Sequence, residues 1–160
     1  MNKLISVLVW VLPISFCLHV AEEFLLPGGF IKWYHTYRPK FSMVRPSHYF
    51  KVNAIGFMLI LATAIVTSKT GGGYGGILII YGFLSWNAIT THVLGAIKTK
   101  QYSPGMITGV VFYLPLTVIS YITVIELKSL DILSLIFCIV ISPLLEIFFS
   151  KKPGPGSGNN

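Results

Sequence analysis

Five stretches of about twenty residues, almost free of charge, divide this chain, and they decide what it can fold into. A helix of roughly 20 residues crosses a hydrocarbon core about 30 Å thick. Inside that core every backbone N–H and C=O must be paired within its own segment, so each stretch is expected to be a helix. The apolar runs predict helices over about 4–26, 51–68, 77–97, 104–125 and 132–149. The predicted fold class is all-α: a polytopic membrane helical bundle of five transmembrane helices, forming one domain over residues 1–150. The Pro- and Gly-rich end, 151–160, reads as a disordered tail or linker. Composition agrees, with 54% apolar and 11% charged residues, against about 25% charged in a soluble domain.

The formal charge of +7 would suggest nucleic acid in a soluble protein. Here the excess lies in the connections between apolar runs, so it fits topology and anionic headgroups, and no nucleic-acid partner is expected. With five spans, Lys3, Lys69 and Lys128 fall on one side of the membrane. Lys32, Arg38, Lys40, Arg45, Lys51, Lys98, Lys100, Lys151 and Lys152 fall on the other. The richer side is expected to be cytoplasmic, with the N-terminus out and the C-terminus in. The expected location is a bacterial cytoplasmic membrane. Lys3 and the run after it resemble a signal peptide, but no small-x-small cleavage site follows, and Phe16 before Cys17 argues against lipoprotein processing. The segment is therefore read as a retained first helix. Cys17 and Cys138 lack metal or redox spacing and read as small core residues.

Pro27-Gly28-Gly29 should end the first helix. The aromatic and basic stretch 30–49 suits the headgroup layer, as a loop or a short interfacial helix broken at Pro39 and Pro46. Gly71 to Gly76 reads as a flexible connection. Pro104 is placed in the first turn of the fourth helix, and Pro115 and Pro143 are expected to kink the fourth and fifth.

Ionisable residues inside spans cost about 2.5–3.5 kcal/mol each on insertion scales, so they mark functional sites or pairs. The topology puts His19, Glu22 and Glu23 in the inner third of helix one, His92 in the inner third of helix three, and Glu146 near the inner end of helix five. His35 and His48 belong to the same side. Glu126 and Asp131 lie at the outer surface. His19 to Glu22 is a step of three and His19 to Glu23 a step of four, both on one helical face. An imidazole and a carboxylate at such spacing make a two-ligand platform for a metal, and His92 is the expected third ligand from another helix. The expected metal residues are His19, Glu22, Glu23 and His92, with one glutamate free to act as general base. The plainer alternative is that these groups are hydrogen-bonded to neighbouring helices. Asn87 is expected to bond another helix, and His35 and His48 are interfacial or offer a fourth ligand. Arg38 and Arg45 serve topology, headgroups or the phosphate or carboxylate of a lipid-like substrate.

His19-Val-Ala-Glu22-Glu23, the downstream His92, and Tyr102-Ser103-Pro104-Gly105 together resemble the HXXEE-motif family of small membrane proteins, which is marked by H-x-x-E-E, a second histidine and Y-x-P-G. The resemblance implies that Tyr102, Pro104 and Gly105 belong to the same functional unit, with Tyr102 at the cytoplasmic rim as a proton donor or supporting residue. It implies a site and no particular activity. The leading expectation is a membrane-embedded metal-dependent enzyme acting on a lipidic or amphipathic substrate, with Glu22, Glu23 and Tyr102 as catalytic residues. Its cofactor is a divalent metal, zinc favoured over iron because a di-iron site needs more carboxylates and histidines. A zinc hydrolase is favoured among such enzymes. The alternatives are a proton-coupled transporter or carrier using the same residues as a relay, and a non-catalytic accessory subunit. Membrane lipids are the expected partners.

Overall fold

The computed structural model describes residues 2–150, so the tail at 151–160 lies outside the described residues. Six helices follow one another: α1 (Lys3–Phe24), α2 (Phe30–Tyr37), α3 (Pro46–Thr70), α4 (Tyr74–Thr99), α5 (Met106–Glu126) and α6 (Ile132–Ser150). All but α2 are long and apolar enough to cross a membrane. No strand occurs among the described residues. Large apolar side chains cover the outside, for example Ile55, Met58, Leu59, Val111, Leu133 and Phe148. A water-soluble monomer rarely shows so much contiguous apolar surface.

The predicted helices reappear with ends shifted by up to five residues. Pro46 opens α3, where proline needs no N–H partner, so α3 begins five residues before the predicted start. The stretch after Pro27 is a short helix, α2, followed by a 3₁₀ turn at Pro39–Phe41. The glycine connection is shorter than its composition implies, since α4 already begins at Tyr74. Pro104 stands just before α5 and leaves Gly105 as the cap. Of the two cysteines, Cys138 is buried as expected, but Cys17 is exposed. The buried face of α1 runs through Leu12, Phe16, His19 and Glu23, and Cys17 falls outside that stripe.

The core is built around α4. Its Gly82 faces Ser142 of α6, so close that a Cβ there would stand 2.8 Å from the Ser142 Cβ. Its Ala88 lies against Gly109 of α5, where a Cβ would stand 2.9 Å away. Small residues at these contacts let helix backbones approach, and hydroxyls then bond across. Tyr81 donates to the Leu8 carbonyl of α1 (2.7 Å), Ser85 to the Tyr113 carbonyl (2.9 Å), and Thr117 to the Tyr81 carbonyl (2.9 Å).

Two of the long helices contain a π-helical segment: Ala88–Val93 in α4 and Gly109–Tyr113 in α5. Each acts as an inserted residue that rotates the rest of its helix, a device common at functional sites. In the first, the Thr90 hydroxyl bonds back to the Trp86 carbonyl (2.9 Å), a contact that competes with the regular helical ladder. The second ends two residues before Pro115. The fourth span thus has a π-turn just before the proline expected to kink it, and the third has one where no irregularity was expected.

Candidate metal centre

His19 and Glu23 are one turn apart on the buried face of α1, and the π-segment of α4 turns His92 toward them. The rings of His19 and His92 meet edge to face, with centroids 4.9 Å apart. One Glu23 carboxylate oxygen lies 3.6 Å from His19 Nε2 and 3.4 Å from His92 Nε2. The three ligand atoms all lie within 4.8 Å of one another. Ligands 2.0–2.1 Å from a tetrahedral ion stand about 3.3 Å apart, so two edges of the triangle already have the dimensions of a coordination sphere. His92 Nε2 is buried and has no hydrogen-bond partner among the described residues. A buried imidazole nitrogen left unpaired is costly, and an ion at this point would satisfy it.

The far nitrogens are fixed by hydroxyls. His19 Nδ1 pairs with Thr108 Oγ1 and His92 Nδ1 with Ser103 Oγ, each at 3.0 Å. Such partners set ring orientation, with each Nε2 facing Glu23. The centre is roofed on one side by aromatic rings of α2. Trp33 stacks nearly parallel to His92 (8° between planes, centroids 6.1 Å apart), and Phe30 lies 5.7 Å from it. Gly95 permits this, since a Cβ there would stand 2.6 Å from Trp33. On the other side the roof is Gly105. It has φ +95°, and a Cβ there would stand 2.6 Å from His92 Cε1 and 2.8 Å from His19 Cε1. Only a residue without a side chain can hold that conformation in that space.

Glu22 has a different task from its neighbour. It belongs to the expected ligand set, yet its carboxylate points to the start of α5. One oxygen accepts from the Tyr102 hydroxyl and from the Ile107 N–H (3.1 Å). The other accepts from the Thr108 N–H (2.7 Å) and the Thr108 hydroxyl. The first amides of a helix have no partner within the helix, and the helix dipole favours an anion there. Gly105 has no side chain to cap α5, so Glu22 does so from α1. The two motifs are thereby one unit: Glu22 holds Tyr102 and Thr108, and Thr108 holds His19. Tyr102 is 40% exposed at the rim of the site. Burial raises its phenol above the ordinary range, and the bond to Glu22 raises it further, so it keeps its proton. Replacing Glu22 by Ala should lower stability by about 2–4 kcal/mol, by loss of the cap and of bonds to a charged group. Glu22→Gln, which keeps one acceptor oxygen, should lose less. Thermal unfolding in mild detergent measures both, and equal losses would contradict the capping role.

The remaining sequence candidates lie elsewhere. His35 pairs with the Tyr49 hydroxyl (3.0 Å) and His48 lies against the Tyr49 ring, so neither joins the group of His19, Glu23 and His92. Asn87 bonds Thr91 of its own helix (3.3 Å). Glu146 is buried and lies 2.7 Å from the Thr90 hydroxyl, whose one hydrogen it shares with the Trp86 carbonyl, and this ties α6 to the π-segment of α4. Arg38 donates to the Ser150 carbonyl (3.1 Å) and lies over the Tyr34 and Tyr37 rings. Burial raises the Tyr34 phenol, with Arg38 opposing. Ser103, Thr108, Phe30, Trp33 and Tyr113 were not singled out from sequence. Ser103 and Thr108 had one available signal, a hydroxyl inside or just after the Tyr102–Gly105 motif.

A family model described as a protein of unknown function with HXXEE motif matches residues 10–120. No curated protein and no solved structure matches the chain. The matched region holds both motifs and His92, every residue of the centre, so the chain belongs to the HXXEE-motif family.

Proposed function

We propose that this is an integral protein of a bacterial cytoplasmic membrane, N-terminus out and C-terminus in, that holds one divalent ion and hydrolyses a lipidic or amphipathic substrate. The ion is zinc in preference to iron, bound by His19, Glu23 and His92. The observation that supports this reading most is the Glu23 oxygen shared between two imidazoles whose outer nitrogens are already engaged. Imidazole and carboxylate suit zinc, and three protein ligands leave a position open. An ion so held supplies Lewis acidity and a water acidic enough to attack near neutral pH. The chain's own part is to hold the ligands and exclude bulk water. Tyr102, half-exposed at the rim with its hydroxyl bonded to Glu22, would support the site through that carboxylate and act as proton donor only where a substrate displaces the bond.

A second reading is favoured by burial. The three ligand residues are at most 5% exposed, and a closed centre also suits an ion that clamps α1 to α4. Purified protein in vesicles separates the two. Zinc-loaded wild type should cleave acyl esters such as p-nitrophenyl laurate or the vesicle phospholipid. Activity should vanish on chelation, return with zinc, and be absent in His19→Ala. Bound zinc that raises the unfolding temperature without cleavage of either substrate would favour the clamp and count against the hydrolase.

A further inference from the structure

Tyr113 closes the second π-segment, in α5, and is fully buried. Its ring lies 4.9 Å from that of His19, and its hydroxyl has no hydrogen-bond partner among the described residues. The Tyr113 and His92 rings both pack against His19, so this hydroxyl and His92 Nε2, each without a hydrogen-bond partner among the described residues, belong to one neighbourhood around that imidazole. A buried hydroxyl without a partner is destabilising, and a phenylalanine would fill the same volume without that cost. The π-segment is what aims the side chain, because one residue more or fewer turns a helical position by about 100°. Gly109 lets α5 approach α4 at that point, and Ser85 holds the Tyr113 carbonyl. Of the other phenols near the core, Tyr81 is committed to the Leu8 carbonyl and Tyr102 to Glu22.

We propose that Tyr113 donates its phenolic hydrogen bond to the water or anion held at the open position of the His19–Glu23–His92 centre. The inference rests on the metal reading of that centre. It makes Tyr113 a residue that touches the reacting ligand from inside the bundle, opposite the rim where Tyr102 stands.

Cobalt substitution and azide, a small anionic probe, test it. Wild type, Tyr113→Phe and Tyr81→Phe are loaded with cobalt(II), and azide binding is followed in the visible spectrum. Tyr113→Phe should bind cobalt as wild type does and unfold at the same temperature or higher, since it loses only an orphaned hydroxyl. Its azide dissociation constant should rise about ten- to hundredfold, the range for a hydrogen bond to a charged group. Tyr81→Phe should lose stability and bind azide normally. An azide affinity and spectrum in Tyr113→Phe equal to wild type would overturn the assignment of Tyr113 and leave the centre standing. Wild type that takes up no cobalt would overturn the centre itself, and this inference with it.

Discussion

Gly105→Ala should cost roughly 2–5 kcal/mol and abolish the zinc binding proposed for the centre. The left-handed backbone alone costs a non-glycine residue about 1–2 kcal/mol, and forcing a methyl into a packed site costs about 1–3 kcal/mol. The new methyl would stand under 3 Å from the Cε1 atoms of both imidazoles, so the rings must move apart or α5 must withdraw. Gly29→Ala is the control. Gly29 also has a positive φ, +86°, but nothing lies within 4 Å of a Cβ there. It should show the backbone cost only and keep its metal. Unfolding temperature and zinc per chain, measured for both variants, separate strain from crowding. If Gly105→Ala matched Gly29→Ala in both, the close fit of the glycine between the imidazoles would be wrong.

His92→Ala should weaken zinc binding by more than about 100-fold. Loss of a residue that merely supports a ligand costs about 10- to 100-fold, and in the proposed centre His92 is itself a ligand. The substitution also removes the ring on which Trp33 and Phe30 rest, so α2 should loosen over the site. His35→Ala and His48→Ala should leave binding unchanged, because both rings are engaged with Tyr49 away from the centre. A competition titration with a zinc-chelating dye reads all three. Equal losses in the three variants would point to general damage rather than ligation.

Much of this arrangement was legible in the sequence. The apolar runs fixed the number of long helices, because the length of a bilayer-crossing helix leaves little freedom. The step of four from His19 to Glu23 put both on one face, and helix direction put His92 at the same level. The different fates of Glu22 and Glu23 were not legible. Both are within a turn of His19, and which one turns toward it depends on the exposed amides at the start of α5, a partner distant in sequence. Nor were the π-segments, since the residue inserted at 88–93 or 109–113 leaves no mark in hydrophobic spacing. Without them Tyr113 is one more aromatic residue in an apolar run. Gly105 was visible as part of a motif, but its reason lies in the two rings beneath it.

The shared ion is the claim on which the rest stands. Wild-type protein purified in mild detergent, equilibrated with zinc and desalted, should carry one zinc per chain by elemental analysis. A folded, monodisperse sample that retains no zinc or other divalent metal would contradict it.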